Sequence, residues 1–157
     1  MEVSAVAWTF RVLDWLATAI CVAALAILAV YAADREPPFR VISAAKPAGQ
    51  PGQEIAFTAE VWRDRARNCA GVRSASIYHS GGVRHDFPDR YFSAAQIALQ
   101  EEATPGRMAP AFVIPGNATP GQAAYVFITL RYECNQAHRW FKPIEVSFSM
   151  PFDVLPK

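Results

Sequence analysis

The stretch EIAFTAEVW, residues 54–62, decides how most of this chain is expected to fold, because its side chains alternate between apolar and polar. One face carries Ile55, Phe57, Ala59 and Val61, and the opposite face carries Glu54, Thr58 and Glu60. A period of two residues is typical of a β-strand that buries one face against a core and exposes the other to water. Residues 54–62 therefore predict a half-buried β-strand.

Extended segments of similar character recur on both sides of this stretch, with turn-forming residues between them. They are FRVISA (39–44), VRSASIYHS (72–80), VRHDF (83–87), RMAPAFVIP (107–115), AAYVFITLRYEC (123–134) and IEVSFSMPFDV (144–154). Gly81 and Gly82 join the second and third of these segments and predict a tight hairpin. About seven short strands separated by turns are typical of an antiparallel β-sandwich.

Residues 93–102, SAAQIALQEE, depart from the β pattern. Ser93 is followed three residues later by Gln96, which is the spacing of a helix-capping box. Pro105 and Gly106 then provide a stop signal. This segment predicts one short helix inserted among the strands.

A long apolar segment precedes the strands. WLATAICVAALAILAVYAA, residues 15–33, has no charged side chain and lies between Asp14 and Asp34. As a helix it would be about 28 Å long, close to the ~30 Å hydrocarbon core of a bilayer. We expect an N-terminal tail and one transmembrane helix within residues 1–33, a stiff Pro-rich spacer at 34–38, and a β-sandwich domain at 39–157.

Aromatic and basic residues flank the predicted span in the manner of interfacial anchors. Trp15 and Tyr31 suit the two headgroup levels, and the side chain of Arg11 suits snorkelling toward lipid headgroups. The alternative is a signal peptide cleaved after Ala32, because VYA is an acceptable cleavage site. A buried helix of a soluble fold is disfavoured because the segment has no polar face.

Two stretches of the predicted domain resemble the immunoglobulin-like fold. They are PGQEIAFTAEVW (51–62), at the position of its second strand, and IPGNATPGQAAYVFITLRYEC (114–134), at that of its sixth. Two features depart from that fold, because Cys69 lies beyond its strand and Trp140 follows the second cysteine. The whole layout also resembles uncharacterised single-pass membrane proteins of bacteria and their phages, and this resemblance implies no activity.

In an immunoglobulin-like arrangement, Cys69 and Cys134 are predicted to form a disulfide. If the second and sixth strands run in the same direction in facing sheets, cysteines after their ends meet at one end of the sandwich. A bridge between them would contribute about 4 kcal/mol to stability in the loop-entropy model. The alternative is a pair of free thiols in a reducing compartment. Cys21 lies within the predicted span and outside this disulfide, and we expect it to serve as a small apolar residue.

Different residues favour opposite orientations of the predicted span in the membrane. Arg11 alone precedes the helix, and three basic residues follow it: Arg35, Arg40 and Lys46. By this excess the domain would face the cytoplasm, although long domains are translocated largely regardless of such charges. A disulfide needs an oxidising compartment. We therefore expect a single-pass protein of the inner (cytoplasmic) membrane with its β-domain on the periplasmic side.

Two segments between predicted strands carry candidate partner-binding residues. They are Arg63, Arg65 and Arg67 from WRDRARNC (62–69), and Arg139, Trp140 and Phe141 from HRWFKP (138–143). Guanidinium groups bind carboxylates and phosphates, and exposed aromatic side chains suit a partner surface or the bilayer interface. The alternatives are a solvated loop balanced by Asp64, and a Trp140 that packs over the edge of the core.

The sequence carries no pattern that predicts catalysis, a metal centre or a cofactor. The candidate metal ligands are His79, His85, Asp86 and His138, and they lack the paired spacing of metal sites. There is no Gly-x-Ser-x-Gly nucleophile motif and no glycine-rich phosphate loop. A net charge of +1 gives no general field for nucleic acid. We expect no enzyme activity, no cofactor and no nucleic-acid partner, and the sequence identifies no small-molecule substrate.

These observations favour a membrane-anchored, non-enzymatic interaction module of a bacterial or phage-associated envelope. Its partners would be the lipid bilayer and another envelope or membrane protein. The alternative is a structural or accessory subunit of a larger membrane complex, held mainly through the helix. Small residues such as Ala17 and Ala24 would then let a second helix approach closely.

Overall fold

The computed structural model describes the backbone of residues 2–157 and the side chains of residue 8 and residues 10–157. Met1, part of the predicted 1–33 segment, lies outside the described residues. The chain divides into a helical unit that ends at Arg35 and a β unit, Glu36–Lys157. The division falls inside the predicted spacer.

Helix α1 spans Glu2–Ala33 and forms the helical unit. Its segment Phe10–Ala33 is 24 residues long with a mean hydropathy of 2.4, which is long and apolar enough to cross a membrane or to act as a signal sequence. No residue in its most apolar window is buried. The Thr18 hydroxyl donates a hydrogen bond to the Asp14 carbonyl at 2.8 Å, so this polar group is satisfied within the helix itself.

The β unit contains ten strands and two short helices. The strands are β1 (Phe39–Ala44), β2 (Ala48–Gly49), β3 (Glu54–Ala56), β4 (Ala59–Arg63), β5 (Ala70–His79), β6 (Val83–Phe92), β7 (Arg107–Met108), β8 (Ala111–Val113), β9 (Ala123–Glu133) and β10 (Ile144–Val154). The helices are α2 (Ala94–Ala103) and α3 (Gln136–Trp140). The prediction of a mainly β chain with an N-terminal apolar helix is confirmed.

The strands form three sheets. The largest has the order β2-β10-β9-β5-β6, the second has the order β1-β4-β7, and β3 pairs with β8. Strand β9 lies at the centre of the large sheet and pairs antiparallel with β10 on one side and β5 on the other. The expectation of purely antiparallel pairing is wrong at one edge. There β2 runs parallel to β10, because the chain changes sheets after β1.

The prediction of one continuous strand at 54–62 is also wrong in detail. The segment is divided into β3 and β4, because residues 57 and 58 leave the ladder. The Phe57 amide donates instead to the Pro110 carbonyl at 2.9 Å, opposite a matching break between β7 and β8. The alternation of the sequence still holds, since Ile55, Phe57 and Val61 are buried.

Helix α2 confirms the predicted capping box, and α3 corrects the expectation of a single short helix among the strands. In α2 the Ser93 hydroxyl accepts from the Gln96 amide, and the Gln96 side chain accepts from the Ser93 amide. Helix α3 forms where a plain loop was expected, because the Asn135 side chain accepts from the His138 amide at 2.9 Å.

Two hydrophobic clusters fill the β unit. The main core joins side chains of the large sheet to those of β3 and β8, with Phe57 at its centre. The Phe57 ring makes edge contacts with Phe112 and Phe152, at centroid distances of 6.0 and 6.1 Å. The second core consists of Phe39, Ala59, Val61, Cys69, Tyr132 and Ile144.

Phe57→Ala should lower the free energy of unfolding of the β unit by about 3–5 kcal/mol, because it removes a fully buried ring and leaves a cavity. Thermal and urea denaturation of the full-length protein measure this change. Val113→Ala is the matched control, since Val113 is 50% exposed on neighbouring β8. A loss for Phe57→Ala no larger than that of the control would contradict the assigned core.

Candidate functional site

The predicted disulfide is confirmed, but the reason given for it is wrong. Cys69 and Cys134 are bonded across 65 residues of sequence. Cys69 immediately precedes β5 and Cys134 immediately follows β9, and these are neighbouring strands of one sheet. Ala70 pairs with Glu133, so the cysteines lie opposite each other one step beyond the ladder. The bond therefore fastens adjacent strands of one sheet and does not join two facing sheets.

The disulfide brings two connecting segments to the same end of the β unit. Residues 64–69 connect β4 to β5, and residues 134–143 connect β9 to β10. Strand β1 begins at this end too, because Phe39 pairs with Arg63 at the end of β4. We call it the entry end, since the chain enters the β unit here.

Helix α3 presents two aromatic side chains at the entry end. Its inner residues, Ala137 and His138, are buried, with 2% and 0% of their surface exposed. Trp140 and Phe141 are 68% and 65% exposed. The exposed face consists of Arg139, Trp140 and Phe141, which we call the aromatic tip. The alternative in which Trp140 packs over the core does not hold for a side chain so exposed.

Two of the three candidate arginines in the other segment are paired with one carboxylate. Glu101 of α2 is 9% exposed, and its oxygens lie 3.5 Å from Arg63 Nε and 3.2 Å from Arg65. Its Oε1 also accepts from the Gly106 amide at 3.0 Å. These contacts tie the end of α2 to the end of β4, although the Arg65 side chain is still 69% exposed.

Arg67 is held within the same segment and against the start of the β unit. Its guanidinium donates to the Glu36 carbonyl and lies 3.5 Å from the Asp64 carboxylate. The Asp64 amide in turn donates to the Pro38 carbonyl at 3.0 Å. Asp64 therefore balances Arg67, as the solvated-loop alternative expects, although the Arg67 side chain is only 19% exposed.

The predicted membrane anchors lie on α1. Trp15 is 77% exposed and Tyr31 is 51% exposed, and Arg11 and the free Cys21 are exposed too. Sixteen residues of helix between Trp15 and Tyr31 correspond to about 24 Å along the axis. This separation suits two aromatic anchors near opposite faces of a bilayer.

The histidines of the hairpin between β5 and β6 form a stacked pair. The rings of His79 and His85 lie 5.0 Å apart with 16° between their planes. His79 is 2% exposed, and burial, followed by the charge of His85, lowers its pKa from 6.5. His79 Nδ1 lies 2.8 Å from the Ser80 hydroxyl. Among the described side chains, those of residue 8 and residues 10–157, no group of three or more His, Cys, Asp or Glu is placed to hold a metal ion.

The thermal midpoint should fall as the pH is lowered from about 7.5 to about 5.5. Because the pKa of His79 is lower in the folded protein than in the unfolded chain, the unfolded chain binds more protons as the pH falls through about 6.5, and folding loses stability. Differential scanning fluorimetry of wild type and His79→Gln measures the effect, and the variant should show a smaller pH slope. If the pH slope of His79→Gln equalled that of wild type, the assignment of this pH dependence to His79 would be contradicted. His85→Gln should give a slope between those of wild type and His79→Gln.

Reduction of the disulfide, or the Cys69→Ser and Cys134→Ser double variant, should cost about 4 kcal/mol of stability, because it releases a 65-residue loop in the unfolded chain. Chemical denaturation of the full chain with and without reductant measures this loss. Cys21→Ser is the matched control and should change nothing. If the reductant changed the stability of wild type and of the double variant equally, a stabilising contribution from the disulfide would be contradicted.

Comparison with protein-family models, curated protein sequences and solved structures finds no match to this chain. Function is therefore argued from the geometry of the chain itself.

Proposed function

We propose that this protein is a membrane-anchored, non-enzymatic interaction module whose aromatic tip contacts another envelope or membrane protein. The observation that carries the proposal is the exposure of Trp140 and Phe141, at 68% and 65%, on a short helix whose other face is buried. Two large aromatic side chains in water gain free energy when a partner covers them, and Trp, Tyr and Arg are frequent in binding hot spots.

The local structure supports recognition because it restrains the tip before a partner arrives. The Asn135 cap, the buried His138 and the adjacent Cys69–Cys134 bond restrain the backbone that carries Trp140. A preformed surface loses less conformational entropy on binding than a mobile loop does. Arg139 adds a guanidinium beside the rings, which suits a carboxylate at the rim of a partner.

The proposed setting is the inner membrane, with α1 as a single-pass anchor and the β unit on the periplasmic side. Support comes from the length and apolarity of Phe10–Ala33 and from the disulfide, since disulfides persist in oxidising compartments. A bacterial or phage-associated origin is part of the proposal and is supported by the resemblance of the layout to such single-pass proteins.

The immunoglobulin-like arrangement is also part of this proposal. It is supported by the order β2-β10-β9-β5-β6 in one sheet, the order β1-β4-β7 in another, and the passage of the chain between sheets after β1. The disulfide departs from the immunoglobulin pattern, in which the bond crosses between facing sheets.

The test is co-purification of the full-length protein from its native membranes in mild detergent. Trp140→Ala combined with Phe141→Ala should lose a partner that wild type retains, because the variant removes the proposed contact area. Tyr91→Ala is the matched control, since Tyr91 is 76% exposed on β6 and lies outside the tip. Retention of every partner by the double variant would contradict the proposal.

Replacing residues 10–33 with an unrelated transmembrane helix distinguishes this proposal from the alternative, in which the protein is a structural subunit held through α1. Loss of assembly with the foreign helix, together with full assembly by the Trp140→Ala and Phe141→Ala variant, would assign the role of structural subunit to α1. An intact disulfide and an unchanged thermal midpoint in each variant show that the β unit is still folded.

A further inference from the structure

A cleft of about 360 Å³ opens into the β unit between the large sheet and the break that separates β7 from β8. It exists because of the residues at alternate positions of β5. Cys69 belongs to the second core, and Ala75 and Ile77 belong to the main core. Between them lie Gly71 and Arg73, which both line the cleft. Gly71 carries no side chain, and a Cβ there would lie only 3.2 Å from the Tyr132 ring. Arg73 brings a charge where a core residue would be expected.

Two arginines face this cleft as a pair. Arg73 and Arg90 are directly opposite each other in the ladder between β5 and β6. The Arg73 guanidinium lies 5.4 Å over the Phe112 ring, and its Nε is buried without a hydrogen-bond partner. Within the described part of the chain, neither arginine forms an ion pair with a carboxylate. Burial, followed by the charge of Arg90, lowers the pKa of Arg73.

The rest of the lining adds two neutral donors, Tyr132 and Gln100, and one carboxylate, Glu54. Burial raises the pKa of Tyr132 to about 12, so its hydroxyl keeps its proton at neutral pH. Glu54 of β3 lines the cleft as well, but it is exposed and forms no ion pair with Arg73 or Arg90. Arg63, also in the lining, is balanced by Glu101. The cleft therefore has an excess of positive charge.

The remaining wall of the cleft is apolar. It includes Phe92, Ile97, Met108, Ala109 and Leu130. The volume is at the lower end of the ~300–1,000 Å³ range of small-molecule pockets. Such a space suits a compact organic group and is too small for a folded partner.

We propose that this cleft binds a small organic oxyanion, a carboxylate or phosphate monoester joined to a compact apolar group, with Arg73 and Arg90 on the charged end. The anion supplies the partner that the buried Arg73 Nε lacks and relieves the repulsion between two like charges. The apolar group lies against Ile97 and Met108. This site is separate from the aromatic tip and does not depend on the proposed function.

The experiment measures binding of three probes to the full-length protein in nanodiscs of neutral lipid, by saturation-transfer NMR with empty nanodiscs as background. The probes are phenyl phosphate, benzoate and benzyl alcohol, which share a ring and differ in charge. We expect at least one anion to bind more tightly than the neutral alcohol by about tenfold or more, because hydrogen bonds to a charged group are stronger than those between neutral groups. The preference between the two anions identifies the charged group.

Arg73→Gln and Arg90→Gln should each weaken anion binding by about tenfold. Arg90 is exposed on β6, so its variant tests the site even if the Arg73 variant fails to fold. Arg131→Gln is the matched control, because Arg131 lies exposed on β9, outside the cleft. The proposal is overturned if no anion binds, if benzyl alcohol binds equally well, or if Arg90→Gln binds as wild type does.

Discussion

The arrangement of the β unit depends on the Cys69–Cys134 bond at the end of the pair formed by β5 and β9. These strands form the middle of the large sheet, and β9 also carries the longest ladder to β10. A covalent bond one step beyond the last pair keeps this end of the sheet from fraying, where hydrogen bonds alone would open most easily. The segments on either side of the bond are therefore held together at the entry end.

This constraint separates two regions with different chemistry. After Cys134, α3 buries Ala137 and His138 and exposes Trp140 and Phe141. After Cys69, β5 carries Gly71 and Arg73, which line the charged cleft. The disulfide therefore restrains the backbone that leads into both the proposed protein contact and the proposed anion site.

Features encoded locally were predictable from the sequence, and features set by pairing across the chain were not. The strand at 144–154 and the cap of α2 follow from alternation and from the Ser93 to Gln96 spacing, because each signal lies within the element. The cysteine pair was predicted, but its placement within one sheet depends on the register of β5 and β9.

The candidate site was predicted in part for the same physical reason. The exposed Trp140 and Phe141 were recognisable as an aromatic segment between strands. The ion pairs of Arg63 and Arg65 with Glu101 were not predicted, because Glu101 lies on a helix more than thirty residues away along the chain. The cleft was missed as well, because an arginine on a strand shows its inward orientation only once the facing sheet is known.

The most direct test of the Cys69–Cys134 bond is peptide mass spectrometry on the full-length protein from its native membranes, alkylated before any reduction. If the bond holds the two strands as described, the Cys69 and Cys134 peptides are joined and Cys21 is bonded to neither. Alkylated, unjoined Cys69 and Cys134 would contradict it.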